Sequence, residues 1–411
     1  MRIGFITTEF VTEPNHAGGL SHYTHRMARL LMERGHEVNV FTYAPNVKTS
    51  WENFDFEYEG LPVHRIPCQG EHKKFNKLTF SKISLTVLWI HFSYQVFRRL
   101  QRFCAKDRLD IIQTPNLHGC GFFSHLFLPV PMVVRISSYS PLCNKLQGRA
   151  QFLDYRLLEQ FEFLHLRRAQ HIFAPSKIIA QMVKKKLGAQ DIRIIPSPFY
   201  LETKKLDFGF YAKHLAGLKY ILFFSGRLGA HKGPHILAKT LCRVLPSFPD
   251  VHVVFIGKDV PFGSVSMRKH IYNILSNLDE RVHFFDSLSH SQLYPVIQGA
   301  TVITLPSLID NLPNACLEAM GLGAIVIGTR GTGFDGIIEH EKNGFLVEPG
   351  SITSLENILI KVLSGKEINL ITINAKKALE TFAPERVAVQ LEAYYEEILA
   401  NHRPGQRRYF H

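Results

Sequence analysis

Two hydrophobic periods alternate along this chain. Arg2–Thr7 is a short apolar run of strand type, Leu20–Glu33 repeats its apolar positions at helical spacing and stops at Arg34-Gly35, and His36–Tyr43 returns to the strand pattern. Asn53–Glu59 alternates polar and apolar residues, as an edge strand or hairpin does. Asp110–Thr114, Met132–Ser137 and His171–Pro175 read as further parallel strands. The pattern breaks near Ile194-Ile-Pro-Ser-Pro-Phe199, and the polar, Lys-rich stretch to about Leu218 reads as a linker. The second half then restarts with strand Tyr220–Ser225, helix Pro234–Val244 and strand Val251–Gly257, and strand–helix units continue through Val347. A last amphipathic helix covers Glu385–Asn401. This order predicts an α/β chain of two parallel-sheet domains, 1–200 and 218–384, with the final helix packing back on the first. Ligands of such sheets sit at the carboxyl ends of the strands, so a cleft between the domains is the expected site.

Composition narrows the picture. The 411 residues are 45% hydrophobic and 20% charged, a soluble globular balance, but the formal net charge is +13. That excess favours polyanionic company: nucleotide phosphates, nucleic acid or anionic lipid. Six cysteines, none in CxxC spacing, argue against a zinc site or a disulfide framework and for reduced thiols in a cytoplasmic protein. The N-terminal apolar run is too short for a signal peptide, and Leu85–Phe97 is broken by His91, Ser93, Tyr94 and Gln95, too polar and short to span a bilayer.

The stretch Asp310-Asn-Leu-Pro-Asn-Ala-Cys-Leu-Glu318 carries the most chemistry. Asp310 and Asn311 are capping types, and Pro313 suits a first helical position. The N–H groups of Asn314, Ala315 and Cys316 then lack intrahelical acceptors and offer a phosphate the positive end of the helix dipole. Glu318, further in, is placed to hydrogen-bond a diol. Taken alone, an ordinary capped helix accounts for everything here except Glu318. Ser225-Gly-Arg-Leu-Gly-Ala-His-Lys-Gly233 follows the first strand of the second half, and Arg227 and Lys232 in it form a candidate diphosphate clamp. The glycine spacing excludes a Walker A loop. Gly331-Thr-Gly333-Phe-Asp-Gly336 matches GxGxxG, but no helix of crossover length follows; a loop presenting amides to a ligand near Asp335 is the better reading.

Gly18-Gly19, Gly226-Arg-Leu…Lys232-Gly233, Asp310-x7-Glu318-Ala-Met-x-Leu-Gly and Asn343-Gly-Phe-Leu-Val occur in this order, and together they resemble the glycosyl transferases group 1 family, retaining enzymes of the GT-B fold. The likeness covers nearly the whole chain and is strongest over 220–350. It implies two Rossmann-like domains, the first binding acceptor and the second a nucleotide diphosphate sugar, which enters as donor substrate; no cofactor and no metal are implied. Arg227 and Lys232 are expected to neutralise the donor diphosphate, aided by Gly226 and by the segment Asn311, Leu312, Pro313, Asn314, Ala315, Cys316. Glu318 is expected on the nucleotide ribose, and Asp310, standing where the family usually has Glu, on the transferred sugar. Gly18 and Gly19 are expected to reach the diphosphate from the first domain, with Gly257 and Leu288 flanking the base. A glycine expected near 286 is Asp286 here.

The family histidine of a Val-Val-x-x-His pattern is absent: the chain reads Val133-Val-Arg-Ile-Ser-Ser138. Arg135, Ser137 and Ser138 are candidates for sugar or acceptor contact in its place, and His118 is a candidate catalytic residue. The alternating Asp55, Glu57 and Glu59 read as a solvated strand face, and the pairs His22/His25 and His231/His235 lack a third ligand. Basic and aromatic residues interleave over His72–Arg102; this reads either as a core helix with a solvated basic face or as a surface for an anionic membrane, which suits a peripheral position at its inner face and a glycan or lipid-linked acceptor of polysaccharide or glycolipid synthesis. Nucleic acid is not an expected partner. The alternative reading is a catalytically inactive relative that binds sugar nucleotides as a partner subunit.

Overall fold

Short β-branched and aromatic runs, buried on both faces, pair side by side in parallel because helices cover both faces of the sheet. In the computed structural model this happens twice. It describes residues 1–13, 19–44, 54–68, 81–188, 191–201, 203, 205–365 and 369–402. The chain divides into two units, Met1–Pro198 joined by the segment from Pro384, and Phe199–Ala383.

The first unit holds β1 (Arg2–Thr7), β2 (Glu37–Ala44), β3 (Asp55–Tyr58), β4 (Leu61–Pro67), β5 (Ile111–Pro115), β6 (Met132–Arg135), β7 (His171–Ala174) and β8 (Ile192–Ile194). They form one sheet in the order β3-β4-β2-β1-β5-β6-β7-β8, parallel except for β3 against β4. The direction of winding reverses between β1 and β5. β3 is the alternating edge strand, with Asp55 and Glu57 exposed and Phe56 and Tyr58 turned partly inward. Helix Pro384–Asn401 belongs to this unit: Val387, Leu391, Tyr395 and Ile398 are buried with Ile3, Phe5, Val40 and Phe173. Its Tyr395 hydroxyl donates to Gln113 Oε1 at 2.6 Å, and Arg34 grips Glu392 through two nitrogens at 2.6 and 2.7 Å.

The second unit holds β9 (Lys219–Arg227), β10 (Val251–Lys258), the hairpin β11 (Pro261–Phe262) and β12 (Val265–Ser266), β13 (Val282–Phe285), β14 (Val302–Thr304), β15 (Val326–Thr329) and β16 (Phe345–Val347). Its six-stranded sheet runs β13-β10-β9-β14-β15-β16, all parallel, with the reversal between β9 and β14. Hydrophobic clusters cover both faces.

The segment expected to be a linker is instead part of the second unit. Phe199 and Leu215 are buried in its core, Phe199 N–H donates to Phe382 C=O at 2.8 Å, and residues Gly209–His214 form a helix. Apolar residues spaced through the lysines (Leu201, Leu206, Phe210) pack on that core, so the polar average of the stretch concealed a buried face. The boundary falls at Pro198/Phe199, and not at 200–218.

Candidate functional site

In a doubly wound sheet, the strands on either side of the reversal send their loops apart and leave room for a ligand at their carboxyl ends. In the second unit those strands are β9 and β14, and the two charged motifs follow them. Arg227 is the last residue of β9, exposed, with no acid partner among the described residues. A short turn, Ala230–Lys232, then delivers Lys232, whose Nζ donates to Asp310 Oδ2 at 2.6 Å.

Backbone contacts fix that pair. Leu308 N–H donates to His231 C=O at 2.8 Å, stitching the loop after β14 to the turn after β9. Gly233 has φ +75° and lies so close to the Pro306 carbonyl that a Cβ would stand 2.0 Å from its oxygen; only glycine fits. Gly333 does the same from the other side: its N–H donates to Asp310 C=O at 2.7 Å, and a Cβ would meet Asn311 C=O at 2.3 Å. The loop after β15 is therefore a brace. Gly331, Phe334 and Asp335 also spend their amides internally, on Asp335 Oδ2, Thr332 Oγ1 and Thr332 C=O. The amide-presenting role expected near Asp335 is not what these groups do.

Helix Asn314–Gly321 departs from the expected start. Pro313 is its N-cap (φ −74°, ψ 100°) and not its first turn, and no side chain caps it, so Asp310 and Asn311 lie outside the helix. Cys316 N–H is not open either; it donates to Pro313 C=O at 3.0 Å. The amides of Asn314 and Ala315 have no protein acceptor among the described residues, leaving two donors at the positive helix end. The Cys316 side chain is wholly buried, which pushes its thiol well above the ordinary range. Glu318 is buried within the helix, its Oε1 3.7 Å from His290 Nε2. His290 opens helix His290–Gly299 and stacks on Tyr294, 5.4 Å between ring centroids. No local signal in the sequence marked His290, because the contact joins two helices.

Gly226 has open space around it and its carbonyl accepts from Ser287 Oγ at 3.3 Å, which brings the 286–288 turn beside the clamp loop. Leu288 is partly buried against the core. Gly257 has a packing role: with φ +150°, a Cβ would meet the Ser225 carbonyl at 2.3 Å. Asp286, in place of the expected glycine, pairs with Arg268 at 2.9 Å.

In the first unit the reversal lies between β1 and β5, and candidates again follow both strands. Gly18 lies outside the described residues. Gly19 opens helix Gly19–Glu33 with nothing near its absent Cβ. His118, after β5, has φ +58°, a left-handed conformation that costs a residue with a Cβ about 1–2 kcal/mol. The ring stacks on Trp89 at 4.1 Å, with Nδ1 3.6 Å from Glu162 Oε1, and its amide donates to that buried carboxylate at 2.8 Å.

Arg135 is a correction. It was a candidate sugar contact, but it is only 6% exposed and turned inward. Its guanidinium lies 3.7 Å over the Tyr23 ring and donates to Ser137 Oγ and Ser197 Oγ at 3.0 and 2.9 Å. Burial shifts its pKa downward, an effect the Tyr23 contact opposes. Ser137 and Ser138 are held by Asn116, whose Oδ1 accepts from Ser137 N–H at 2.7 Å and whose Nδ2 donates to Ser138 C=O at 2.9 Å. Asp55 pairs with Arg99 and His64, consistent with a solvated edge. Among the described residues no group of three or more His, Cys, Asp or Glu is placed to hold a metal ion.

Comparison with known proteins decides the family. Residues 212–378 match the model of the Glycosyl transferases group 1 family, and residues 18–198 match the Glycosyl transferase 4-like domain. The chain belongs to the glycosyl transferases group 1 family. This glycosyltransferase is 24% identical over 341 residues to a D-inositol 3-phosphate glycosyltransferase of Pseudarthrobacter chlorophenolicus, covering 81% of this chain and 79% of the relative. In fold it is similar to sucrose-phosphate synthase of Thermosynechococcus elongatus, with a TM-score of 0.78 at 20% identity over 97% of this chain and 99% of the other. It is similar also to Anabaena HepE in complex with UDP-glucose, with a TM-score of 0.70 at 18% identity over 97% and 100%. The two parallel-sheet units are thus those of the GT-B fold.

Proposed function

We propose that this glycosyltransferase moves a sugar, with retention at the anomeric carbon and without a metal ion, from a nucleotide diphosphate sugar to a hydroxyl acceptor of glycan or lipid-linked type. The observation that carries the reading is the grouping around Lys232 in the second unit: an ammonium 2.6 Å from Asp310, and Arg227 and the amides of Asn314 and Ala315 without protein partners among the described residues, all beyond the reversal of one sheet. HepE, with UDP-glucose bound, supports the donor class, and the relative named for transfer to an inositol phosphate supports a hydroxyl acceptor.

Each group then has a task. Arg227 and Lys232 neutralise the diphosphate, and the two amides share the charge that grows on it as it leaves. These fixed positive groups do the electrostatic work a divalent ion does elsewhere, which is the basis for metal independence. Lys232 has three donors and gives one to Asp310, so it can hold a phosphate oxygen and the sugar-facing carboxylate together. Glu318, steadied by His290, accepts from the ribose hydroxyls. Neither carboxylate is placed as a free nucleophile, since Asp310 is paired and Glu318 is buried in its helix. The acceptor oxygen therefore bonds to the anomeric carbon on the face from which the diphosphate departs, and the departing phosphate oxygen takes the acceptor proton. The test is a melting-temperature screen against UDP-, GDP- and ADP-sugars, repeated with Lys232→Ala. A ligand at about a hundred times its Kd stabilises by about 2.7 kcal/mol. A shift that survives the substitution contradicts the clamp.

A further inference from the structure

We infer that one face of the first unit, centred on helix Ser84–Cys104, is a docking surface for an anionic lipid bilayer. The inference rests on the proposed lipid-linked acceptor only for its purpose; its geometry is independent. A groove of about 560 Å³ lies between the second half of this helix and strands β3 and β4. Among the described residues lining it are four arginines and one carboxylate, Asp55; Arg65 is paired with Glu13 at 2.7 Å, which leaves Arg98, Arg99 and Arg102 facing Asp55. Asp55 is already engaged by Arg99 and His64. Arg98 and Arg102 are exposed, and Arg98 leans on the Tyr94 hydroxyl at 3.1 Å.

Beside the arginines stands an aromatic ridge. Tyr94 touches Phe97 and Phe123, at 6.2 and 5.9 Å between centroids, and Phe127 extends the line from Phe97 at 5.5 Å. The ridge is left in water: Phe127 is 55% exposed and Tyr94 40%, with Ile90 and Leu126 exposed beside them. Large apolar side chains rimmed by arginines match the acyl boundary below and the phosphates above of an anionic leaflet. A soluble anion would explain the groove but not the ridge. No helix among the described residues is long and apolar enough to cross a membrane, so contact here is made from the surface. The Lys73, Lys74, Lys77, Phe75 and Phe80 part of the basic stretch lies outside the described residues.

The experiment sediments the full chain with vesicles of phosphatidylglycerol or of phosphatidylcholine, at low and high salt. Wild type is expected on the anionic vesicles only, and high salt is expected to release most of it. Arg98→Gln with Arg102→Gln should weaken partitioning about 30-fold, at about fivefold per basic residue. Phe127→Ser should weaken it several-fold while leaving the salt dependence intact. Failure of wild type to bind phosphatidylglycerol at low salt overturns the inference, as does equal binding by the double variant. Release by millimolar inorganic phosphate at constant ionic strength also overturns it, in favour of a soluble-phosphate site. Sugar-nucleotide melting shifts measured on the same preparations separate the two proposals, because all of these substitutions lie in the first unit and the donor residues in the second.

Discussion

Both sheets carry polar candidates at the carboxyl ends of their strands, beside the reversal in the second unit and after β5 and β6 in the first, and use them differently. In the second unit the charged side chains stand at the strand ends: Arg227 is exposed and Lys232 meets Asp310 across two loops. In the first unit the corresponding polar residues are folded inward. Arg135 lies over Tyr23, Asn116 ties down Ser137 and Ser138, and His118 stacks on Trp89. One set stands at strand ends with Arg227 exposed, and the other is packed against side chains of its own unit. A strand-end polar residue is therefore a candidate for chemistry only once its partners are known.

The sharpest break of this contrast is a pair of substitutions. Lys232→Ala is expected to lower kcat/KM by about 10³-fold, the loss seen when a preorganised charge-stabilising donor is removed. It should cost about 1–3 kcal/mol of stability, since it leaves the mostly buried Asp310 carboxylate without its partner. Arg135→Ala should do the reverse: about 2–4 kcal/mol of stability lost through the cavity and the stranded hydroxyls, with little change in turnover of the folded fraction. Steady-state kinetics beside denaturant melts read both. A hundredfold loss of kcat with unchanged stability in Arg135→Ala would place that residue in the reaction and erase the contrast.

Acid should separate the units next. In the first, burial lowers the His125 pKa to about 4 and leaves His165, packed against it, well below its usual value. The unfolded chain titrates these groups near 6.5. Between those values the unfolded state binds more protons, so stability is full above about pH 6.5 and falls as the pH drops toward 4. The second unit has a smaller share of this effect, through His235, also lowered to about 4 by burial with Lys239 and His270 nearby. Calorimetry from pH 7 to 4 should show the transition of the first unit falling further, and His125→Phe should flatten that fall by about 2–3 kcal/mol. A pH-independent difference between wild type and His125→Phe would remove the histidine from the account.

The same contrast explains what was readable beforehand. The strands and the division into two sheets were readable because buried parallel strands are continuous apolar runs, a local property. Arg227 and Lys232 could be named because a glycine-flanked charged loop stands out against such runs, and Asp310 and Glu318 because their segment reads as a helix start. Arg135 was misjudged because its partners, Tyr23 and Ser197, lie far away in sequence, and nothing in Val-Val-Arg-Ile distinguishes a cation turned inward from one turned out. The 199–218 segment misled through its average composition, which hid seven apolar residues that join the core. Pro313 fell one position from its expected place, as helix starts often do, and its carbonyl takes up the Cys316 amide, leaving Asn314 and Ala315 open among the described residues.

The smallest expected effect tests the least legible contact. His290 stands 3.7 Å from Glu318, beyond hydrogen-bond length, so it orients the carboxylate more than it binds it. If Glu318 holds the ribose, its charge matters in donor binding and equally in the transition state. Loss of that support should raise the donor KM about five- to tenfold and leave kcat nearly unchanged. His290→Ala is expected to behave in this way, and His290→Gln, which can still donate, to recover most of the affinity. Glu318→Gln should show the same split more strongly, and adding His290→Ala to it should cost little more, because the histidine acts through the carboxylate it faces. Fully additive losses in that double variant would mean that His290 reaches the donor by itself.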